Sequence, residues 1–136
     1  MSDFKVQEKT YEMIQYGYQA VKQFPRSEKY TFAAEIKETM IRLLRLIISA
    51  NKKYHKKTTA RKLDTELELL TNYIRLARDL EFLSFRKYEI WSKKLDEIGK
   101  LIGGWIKSVS FNFQVVGGLE KSLTLSLAKK GQLLQM

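Results

Sequence analysis

The chain has 136 residues, and its 25 lysines and arginines exceed its 15 aspartates and glutamates, so the formal net charge is +10. This length suits one domain with its own core, and a hydrophobic share of 44% is typical of globular chains. The lack of cysteine excludes a disulfide framework and a cysteine-rich zinc site. We expect a soluble, cytoplasmic protein without a membrane span, because no segment approaches the ~20 apolar residues that a span needs.

The first predicted helix runs from Phe4 to Phe24. Its apolar residues follow the helical repeat, which places them on one face. Pro25 ends the helix, because proline lacks the N–H group that a helix interior requires. The expected inner stripe consists of Phe4, Tyr11, Ile14, Tyr18 and Val21.

Ser27 or Thr31 caps the second predicted helix, which runs to about His55. This helix carries more apolar residues than one bundle seam requires, so we expect part of its surface to be buried against another subunit. The inner stripe consists of Ile36, Met40, Leu43, Ile47, Ala50 and Tyr54. The additional apolar residues are Ile41, Leu44, Leu46 and Ile48.

Thr58 or Thr59 caps the third predicted helix, which ends near Leu80, and Ser84 caps the fourth. Four amphipathic helices with short loops pack most simply as an all-α, antiparallel up-down-up-down bundle, here over residues 1–108. The third stripe consists of Leu63, Leu67, Leu70, Ile74 and Ala77. The fourth consists of Tyr88, Trp91, Leu95, Ile98, Ile102 and Trp105.

The remaining residues, 109–136, form a C-terminal extension. Phe111, Phe113 and Val115 alternate with polar residues, and Gly117-Gly118 supplies a turn before further alternating leucines. This pattern predicts a β-hairpin that leans on the bundle or pairs with another chain, because a lone hairpin is marginal in water. A frayed tail and a short helix over 119–127 remain open.

Positive side chains are densest where the second and third predicted helices meet, and no acidic residue interrupts residues 51–62. Such a cluster suits phosphate groups, and arginine adds bidentate contacts. A solvated helix end is the alternative for the loop lysines. A weaker second patch, partly offset by Glu28, consists of Lys22, Arg26 and Lys29. The predicted nucleic-acid-binding residues are Arg42, Arg45, Lys52, Lys53, Lys56, Lys57, Arg61, Lys62, Arg75 and Arg78.

Catalytic and metal chemistry find little support in the sequence. The only histidine, His55, has Lys52 three residues before it, whereas a di-metal site in a helical bundle needs paired Glu-x-x-His motifs. A lone histidine beside lysines is also a poor base for a nucleophilic triad. We expect no catalytic residue, no metal and no cofactor.

Five segments of the chain follow the pattern of a known family. They read FPRSEKY at 24–30, RLARDL at 75–80, LS at 83–84, YE at 88–89 and LDEIGKLIGGWIKS at 95–108, of which the last is the most specific. With them the chain resembles, over about residues 4–108, the accessory variability determinants (Avd) of bacterial diversity-generating retroelements. These four-helix-bundle proteins share a fold with the ribosomal-RNA intervening-sequence proteins.

The resemblance implies a non-enzymatic homopentamer of bundles that binds RNA and DNA. It also implies association with the reverse transcriptase of the element, in support of mutagenic copying of a template RNA. Basic residues of the third helix contribute to polyanion or partner binding in the family, and Arg75 matches one such position. Thr71 stands where relatives often carry another arginine, so that part of the surface is expected to be weaker.

Two rival functions remain open on the sequence. The basic face could dock an acidic protein surface, with nucleic-acid binding incidental. Peripheral membrane binding is less favoured, because the apolar faces of the helices are assigned to a core.

Overall fold

A computed structural model describes residues 3–52 and 56–117 of the chain. The described residues form four α-helices and two short 3-10 turns, and they contain no strand. The helices are α1 (Asp3–Ala20), α2 (Phe32–Lys52), α3 (Lys56–Asp79) and α4 (Phe85–Gly117). The turns, Val21–Gln23 and Arg26–Glu28, join α1 to α2. The prediction of an all-α four-helix bundle is confirmed.

The four helices form a closed ring in which α1 packs against α2 and α4, and α3 packs against α2 and α4. Side-chain pairs establish that neighbours are antiparallel. Asn51, at the end of α2, donates to Gln7, near the start of α1, at 3.2 Å. Arg78, at the end of α3, lies 4.5 Å from the ring centre of Tyr88, near the start of α4. The order is therefore up-down-up-down, as short loops between helices require.

The predicted inner stripes of α2 and α3 are confirmed, because every member that the structure describes is buried. On α4 the stripe from Trp91 to Trp105 is also buried, and Tyr88 at its start is partly buried. These stripes meet in one continuous core, since a fully buried side chain on one helix contacts its counterparts on the facing helices.

The stripe predicted for α1 is partly wrong. Ile14 and Val21 are buried, but Phe4, Tyr11 and Tyr18 are 65%, 54% and 37% exposed. A second set at helical spacing faces the core instead, and several of its members are small enough for close helix approach. This set consists of Val6, Thr10, Met13, Gly17 and Ala20.

Gly17 shows how closely α1 approaches its neighbours. A Cβ atom placed there would lie 2.5 Å from the Met40 sulfur and 2.8 Å from the Trp91 ring. Both neighbours are fully buried, so neither has free space into which to move. The absence of a side chain at Gly17 is therefore what lets α1 seat against α2 and α4.

The helix ends follow the predicted signals in part. α1 ends at Ala20, earlier than the predicted Phe24, and Pro25 comes after the 3-10 turn Val21–Gln23 that follows it. The Ser84 hydroxyl accepts the Lys87 N–H at 3.2 Å, which confirms the predicted cap of α4. Thr58 and Thr59 lie inside α3, which begins at Lys56, so their prediction as caps is wrong.

The link from α3 to α4 is a left-handed turn. Glu81 has φ of 64°, and the N–H groups of Glu81 and Phe82 donate to the carbonyls of Arg78 and Ala77. This paired bonding is the Schellman arrangement, which satisfies carbonyls left free at a helix end. It brings the start of α4 directly beside the end of α3.

The C-terminal part of α4 corrects the hairpin prediction. Residues 109–117 continue the helix, so the strand predicted across Phe111, Phe113 and Val115 is wrong. Three apolar residues at alternate positions are too short a signal, and no proline stops the helix after residue 108. The rest of the predicted hairpin lies outside the described residues, as do Tyr54 and His55, and the division of the chain at 108 stays a prediction. Within the described ranges, no helix combines the length and hydropathy that crossing a membrane requires.

Candidate nucleic-acid interface

The predicted phosphate-binding residues fall on α2 and α3. Arg42, Arg45 and Lys52 lie on α2, and Arg61, Lys62, Arg75 and Arg78 lie on α3. Lys56 and Lys57 form the first turn of α3, and Lys53 lies outside the described residues.

A shallow groove of about 430 Å³ runs between the two helices on the side of their connection. We call it the α2–α3 groove. Three cations and one carboxylate border it, together with a leucine and two threonines. The lining residues are Arg42, Leu46, Thr58, Arg61, Lys62, Thr65 and Glu66.

Arg42 is the cation that is least available to a ligand. Its Nε donates to Glu66 at 3.0 Å, and its Nη2 donates to the Thr39 hydroxyl at 3.2 Å. The hydrogen bond that Arg42 donates to Glu66 is the main cause that raises the pKa of Arg42 above its ordinary value. This ion pair joins α2 to α3. Because it carries no net charge, it adds little to the positive potential of the groove.

A hydrogen-bonded network continues this contact along the seam between α2 and α3. The Tyr73 hydroxyl donates to Glu35 at 2.9 Å, and the Thr39 hydroxyl donates to the Glu35 backbone carbonyl at 2.8 Å. Burial, reinforced by the bond to Glu35, raises the pKa of Tyr73 above its ordinary value of 10.0. The polar groups at this seam thus satisfy one another and hold the two helices in register.

The other cations near the groove point to solvent. Arg61 and Lys62 are exposed on its α3 wall, and neither forms an ion pair with any residue that the structure describes. Arg45 and Lys52 are likewise exposed and unpaired within the described ranges. They lie seven positions apart on α2, which places both on one face of the helix.

The two arginines at the far end of α3 differ from each other. Arg78 donates twice to Asp79, at 2.8 and 3.0 Å, and also stacks on Tyr88. Arg75 is exposed and forms no ion pair within the described part of the chain. Fourteen residues separate Arg75 from Arg61, about 21 Å along a helix, with exposed Asp64 and Glu68 between them. The predicted residues therefore form two groups rather than one unbroken strip.

An exposed apolar surface on α1 and α2 was only partly foreseen. The three exposed aromatic residues of α1 repeat every seven positions and share the side of Gln7 that contacts α2. Lys37 on α2 lies 5.0 Å above the Tyr18 ring, and Ile41 and Ile48 follow Lys37 on the same side of α2. We call this surface the α1–α2 apolar face; it consists of Phe4, Tyr11, Tyr18, Ile41 and Ile48.

The sequence signal for this face is the seven-residue repeat of aromatic residues on α1, which the sequence analysis assigns to the core. Tyrosine has a hydroxyl that favours water, and its long side chain reaches the surface from positions beside the core stripe. A tyrosine side chain is therefore tolerated at a half-exposed position.

Among the described residues, no group of three histidine, aspartate or glutamate side chains is placed to hold a metal.

A family model described as bAvd-like matches residues 4–109, a range that includes α1, α2, α3 and most of α4. A search of the curated proteins found no match to the chain.

Proposed function

Because the chain belongs to the bAvd-like family of accessory variability determinants, we propose that it is a nucleic-acid-binding accessory protein of a diversity-generating retroelement. In this proposal it binds RNA or DNA and associates with the reverse transcriptase during mutagenic copying of a template RNA. It acts as a binding protein in the cytoplasm and performs no chemistry itself. The family match supports this assignment, and so does the resemblance of its motifs.

The observation that carries nucleic-acid binding is a set of exposed cations without carboxylate partners. An unpaired cation at the surface replaces counterions of the phosphate backbone, whereas a cation already paired with a carboxylate has no net charge to offer. Within the described residues the unpaired members of the predicted site are Arg45, Lys52, Arg61, Lys62 and Arg75. The α2–α3 groove and the adjoining outer face of α2 are therefore the proposed contact surface.

Self-assembly is the second part of the proposal. The α1–α2 apolar face exposes three aromatic and two isoleucine side chains on neighbouring helices. Contiguous apolar side chains at a surface are stabilised when a partner covers them. A homopentamer in which each copy covers this face on its neighbour satisfies that requirement and agrees with the resemblance.

Salt-dependent binding tests the first part. Fluorescence anisotropy with a labelled RNA or DNA strand should show affinity that falls steeply between about 50 and 200 mM salt. The double variant Arg61→Gln/Lys62→Gln should reduce the slope of log affinity against log salt by about 2, since each phosphate contact contributes roughly 1.

The matched control for this experiment is Lys93→Gln/Lys100→Gln, which removes the same charge from exposed positions on α4. An equal loss in both variants would contradict the assignment of the α2–α3 groove. Absence of any salt-sensitive binding by the unaltered protein would contradict nucleic-acid binding altogether. Co-purification of the reverse transcriptase with and without nuclease distinguishes a direct protein contact from one bridged by nucleic acid.

A further inference from the structure

A second cationic site lies at the Pro25 turn between α1 and α2. It is a pocket of about 260 Å³ with an apolar floor and a charged rim. We call it the Pro25 pocket. Its lining residues are Val21, Lys22, Phe24, Pro25, Arg26, Lys29, Ala33 and Lys37.

Every charged residue that lines this pocket is positive. Four of its lining residues are lysine or arginine, and no carboxylate borders it among the residues that the structure describes. The nearby carboxylate of Glu28 does not line the pocket and accepts a hydrogen bond from the Thr31 hydroxyl at 3.3 Å. Glu28 forms no ion pair with the lining cations within the described residues, but its negative charge still offsets part of the positive charge of the patch, as the sequence indicates.

Lys37 is the one cationic residue lining the pocket that α2 contributes. Lys22, Arg26 and Lys29 are close in sequence, whereas Lys37 enters from the second turn of α2. Its ammonium group lies 5.0 Å above the Tyr18 ring, and that of Lys29 lies 5.4 Å above the Tyr30 ring. Neither ring lines the pocket, so an anion in the pocket has to draw the two ammonium groups away from these weak, exposed cation–π contacts.

The floor of the pocket increases the attraction for an anion. Val21, Phe24 and Ala33 are buried and apolar, so they exclude water from one side of the site. A charge beside an apolar wall is screened less than a charge in open solvent. A small anion seated on this floor would contact the surrounding cations at short range.

We propose that the Pro25 pocket binds a phosphate monoester, either the terminal phosphate of a nucleic-acid strand or that of a free nucleotide. A monoester carries about −1.5 to −2 charges at neutral pH, which suits a pocket lined by four cationic residues better than the single charge of a phosphodiester does. A phosphodiester chain also continues in both directions and needs an open strip of cations. A compact pocket instead fits a group at the end of a molecule.

The position of the pocket makes it separable from the proposed contact surface. It lies where α1 ends and α2 begins, whereas the α2–α3 groove lies where α2 ends. On α2 the nearest lining residues of the two sites are Lys37 and Arg42, which lie five positions apart, about 7.5 Å along the helix and about 140° around it. Variants at one site therefore leave the contacts of the other site in place.

The experiment compares two oligonucleotides of one sequence, one with a 5′-phosphate and one with a 5′-hydroxyl, on the full chain. We expect the phosphorylated strand, adenosine monophosphate or both to bind the pocket. A ³¹P NMR titration with inorganic phosphate and with adenosine monophosphate measures the monoester directly. Preference for the phosphorylated strand indicates a strand end as the source, and saturable nucleotide binding without that preference indicates a free nucleotide.

The double variant Lys22→Gln/Arg26→Gln should weaken monoester binding at least about tenfold, since one charge-assisted hydrogen bond alone contributes roughly that factor. Its affinity for the 5′-hydroxyl strand should stay unchanged. Lys29→Gln/Lys37→Gln should give the same result, and far-UV circular dichroism verifies that both variants keep their helices.

The variant Arg61→Gln/Lys62→Gln separates this proposal from the proposed function. It should weaken both strands equally and leave monoester binding intact. Equal binding of the two strands by the unaltered protein, together with no saturable phosphate or nucleotide signal, would overturn the Pro25 pocket as a monoester site. That result would leave salt-dependent binding at the α2–α3 groove untouched.

Discussion

The α2–α3 groove and the Pro25 pocket carry similar numbers of cations but differ in their carboxylates. Glu66 lines the groove and neutralises Arg42, whereas no described carboxylate lines the pocket. The groove therefore relies on Arg61 and Lys62 and on the outer face of α2, although the densest lysine run of the sequence lies beside it. Positive potential depends on which cations lack a partner, and a count of lysines and arginines does not reveal this.

Assembly is the test with the largest expected effect, because the α1–α2 apolar face adjoins both proposed sites. On α2, Ile41 and Ile48 lie one turn before Arg45 and Lys52 of the proposed contact surface. Tyr18 belongs to that face and also lies beneath Lys37 of the Pro25 pocket. The variant Ile41→Gln/Ile48→Gln should convert the oligomer to a monomer, since it places amide groups in the centre of the proposed contact. Light scattering coupled to size-exclusion chromatography measures the change in mass.

A pair of exposed leucines at the C-terminal end of α3, one on its last turn and one directly after it, provides the control for assembly. Leu76 and Leu80 are 46% and 48% exposed, more than either isoleucine, and they lie outside the α1–α2 apolar face. The variant Leu76→Gln/Leu80→Gln should keep the mass of the unaltered protein. Dissociation by this control alone would assign the subunit contact to α3 and refute the proposed face.

Stability of the shared core is the next test, because both sites depend on the position of α2. Gly17→Ala adds a Cβ against fully buried Met40 and Trp91, and such overpacking costs about 1–3 kcal/mol. Higher helix propensity returns at most about 1 kcal/mol, so the net loss should be about 1–2 kcal/mol. Chemical denaturation followed by circular dichroism gives the free energy of unfolding.

Gly104→Ala is the matched substitution, and we expect it to change the free energy of unfolding in the opposite direction. Gly104 is exposed within α4, and an added Cβ would meet nothing within 4 Å. The change should therefore raise the free energy of unfolding by up to about 1 kcal/mol. A stabilising Gly17→Ala would show that α1 has room that the structure does not give it.

Removal of the Glu66 charge has the smallest expected effect, but it tests the difference between the groove and the pocket most directly. Glu66→Gln leaves Arg42 with an uncompensated charge, so the groove should gain one effective cation. The salt slope for RNA or DNA should steepen by about 1, and affinity at low salt should rise several-fold. Monoester binding at the Pro25 pocket should not change.

Glu68→Gln controls for the change in overall charge. Glu68 is exposed on α3 and does not line the groove, and its replacement by glutamine removes the same single charge. Its effect on the salt slope should be smaller than that of Glu66→Gln. An equal effect would mean that the long-range field of the protein, and not the pairing with Arg42, governs binding.

Much of the bundle was predictable because long helices carry strong periodic signals. The stripes of α2 and α3 and the Ser84 cap depend on local spacing and local hydrogen bonds, which the sequence contains in full. The stripe of α1 was misassigned because two sets of residues satisfy the same period. Large tyrosines were preferred over Thr10 and Gly17, although close packing favours the small residues.

The candidate sites were predictable in composition but not in arrangement. Nine of the ten predicted cations lie on α2 or α3, and Lys53 lies outside the described residues. Pairing of Arg42 with Glu66 joins residues 24 positions apart on different helices, and no local pattern announces it. The same holds for Lys37, which reaches the Pro25 turn only because α2 folds back along α1.

The sequence by itself determined the four helices, most of their buried faces and an excess of positive charge, because helix periodicity and net charge are sums over local residues. The tertiary structure alone decided which cations are neutralised, which aromatic residues face solvent and which four cationic residues line one pocket. Those properties depend on distances between side chains of different helices, and such distances exist only after the helices have packed.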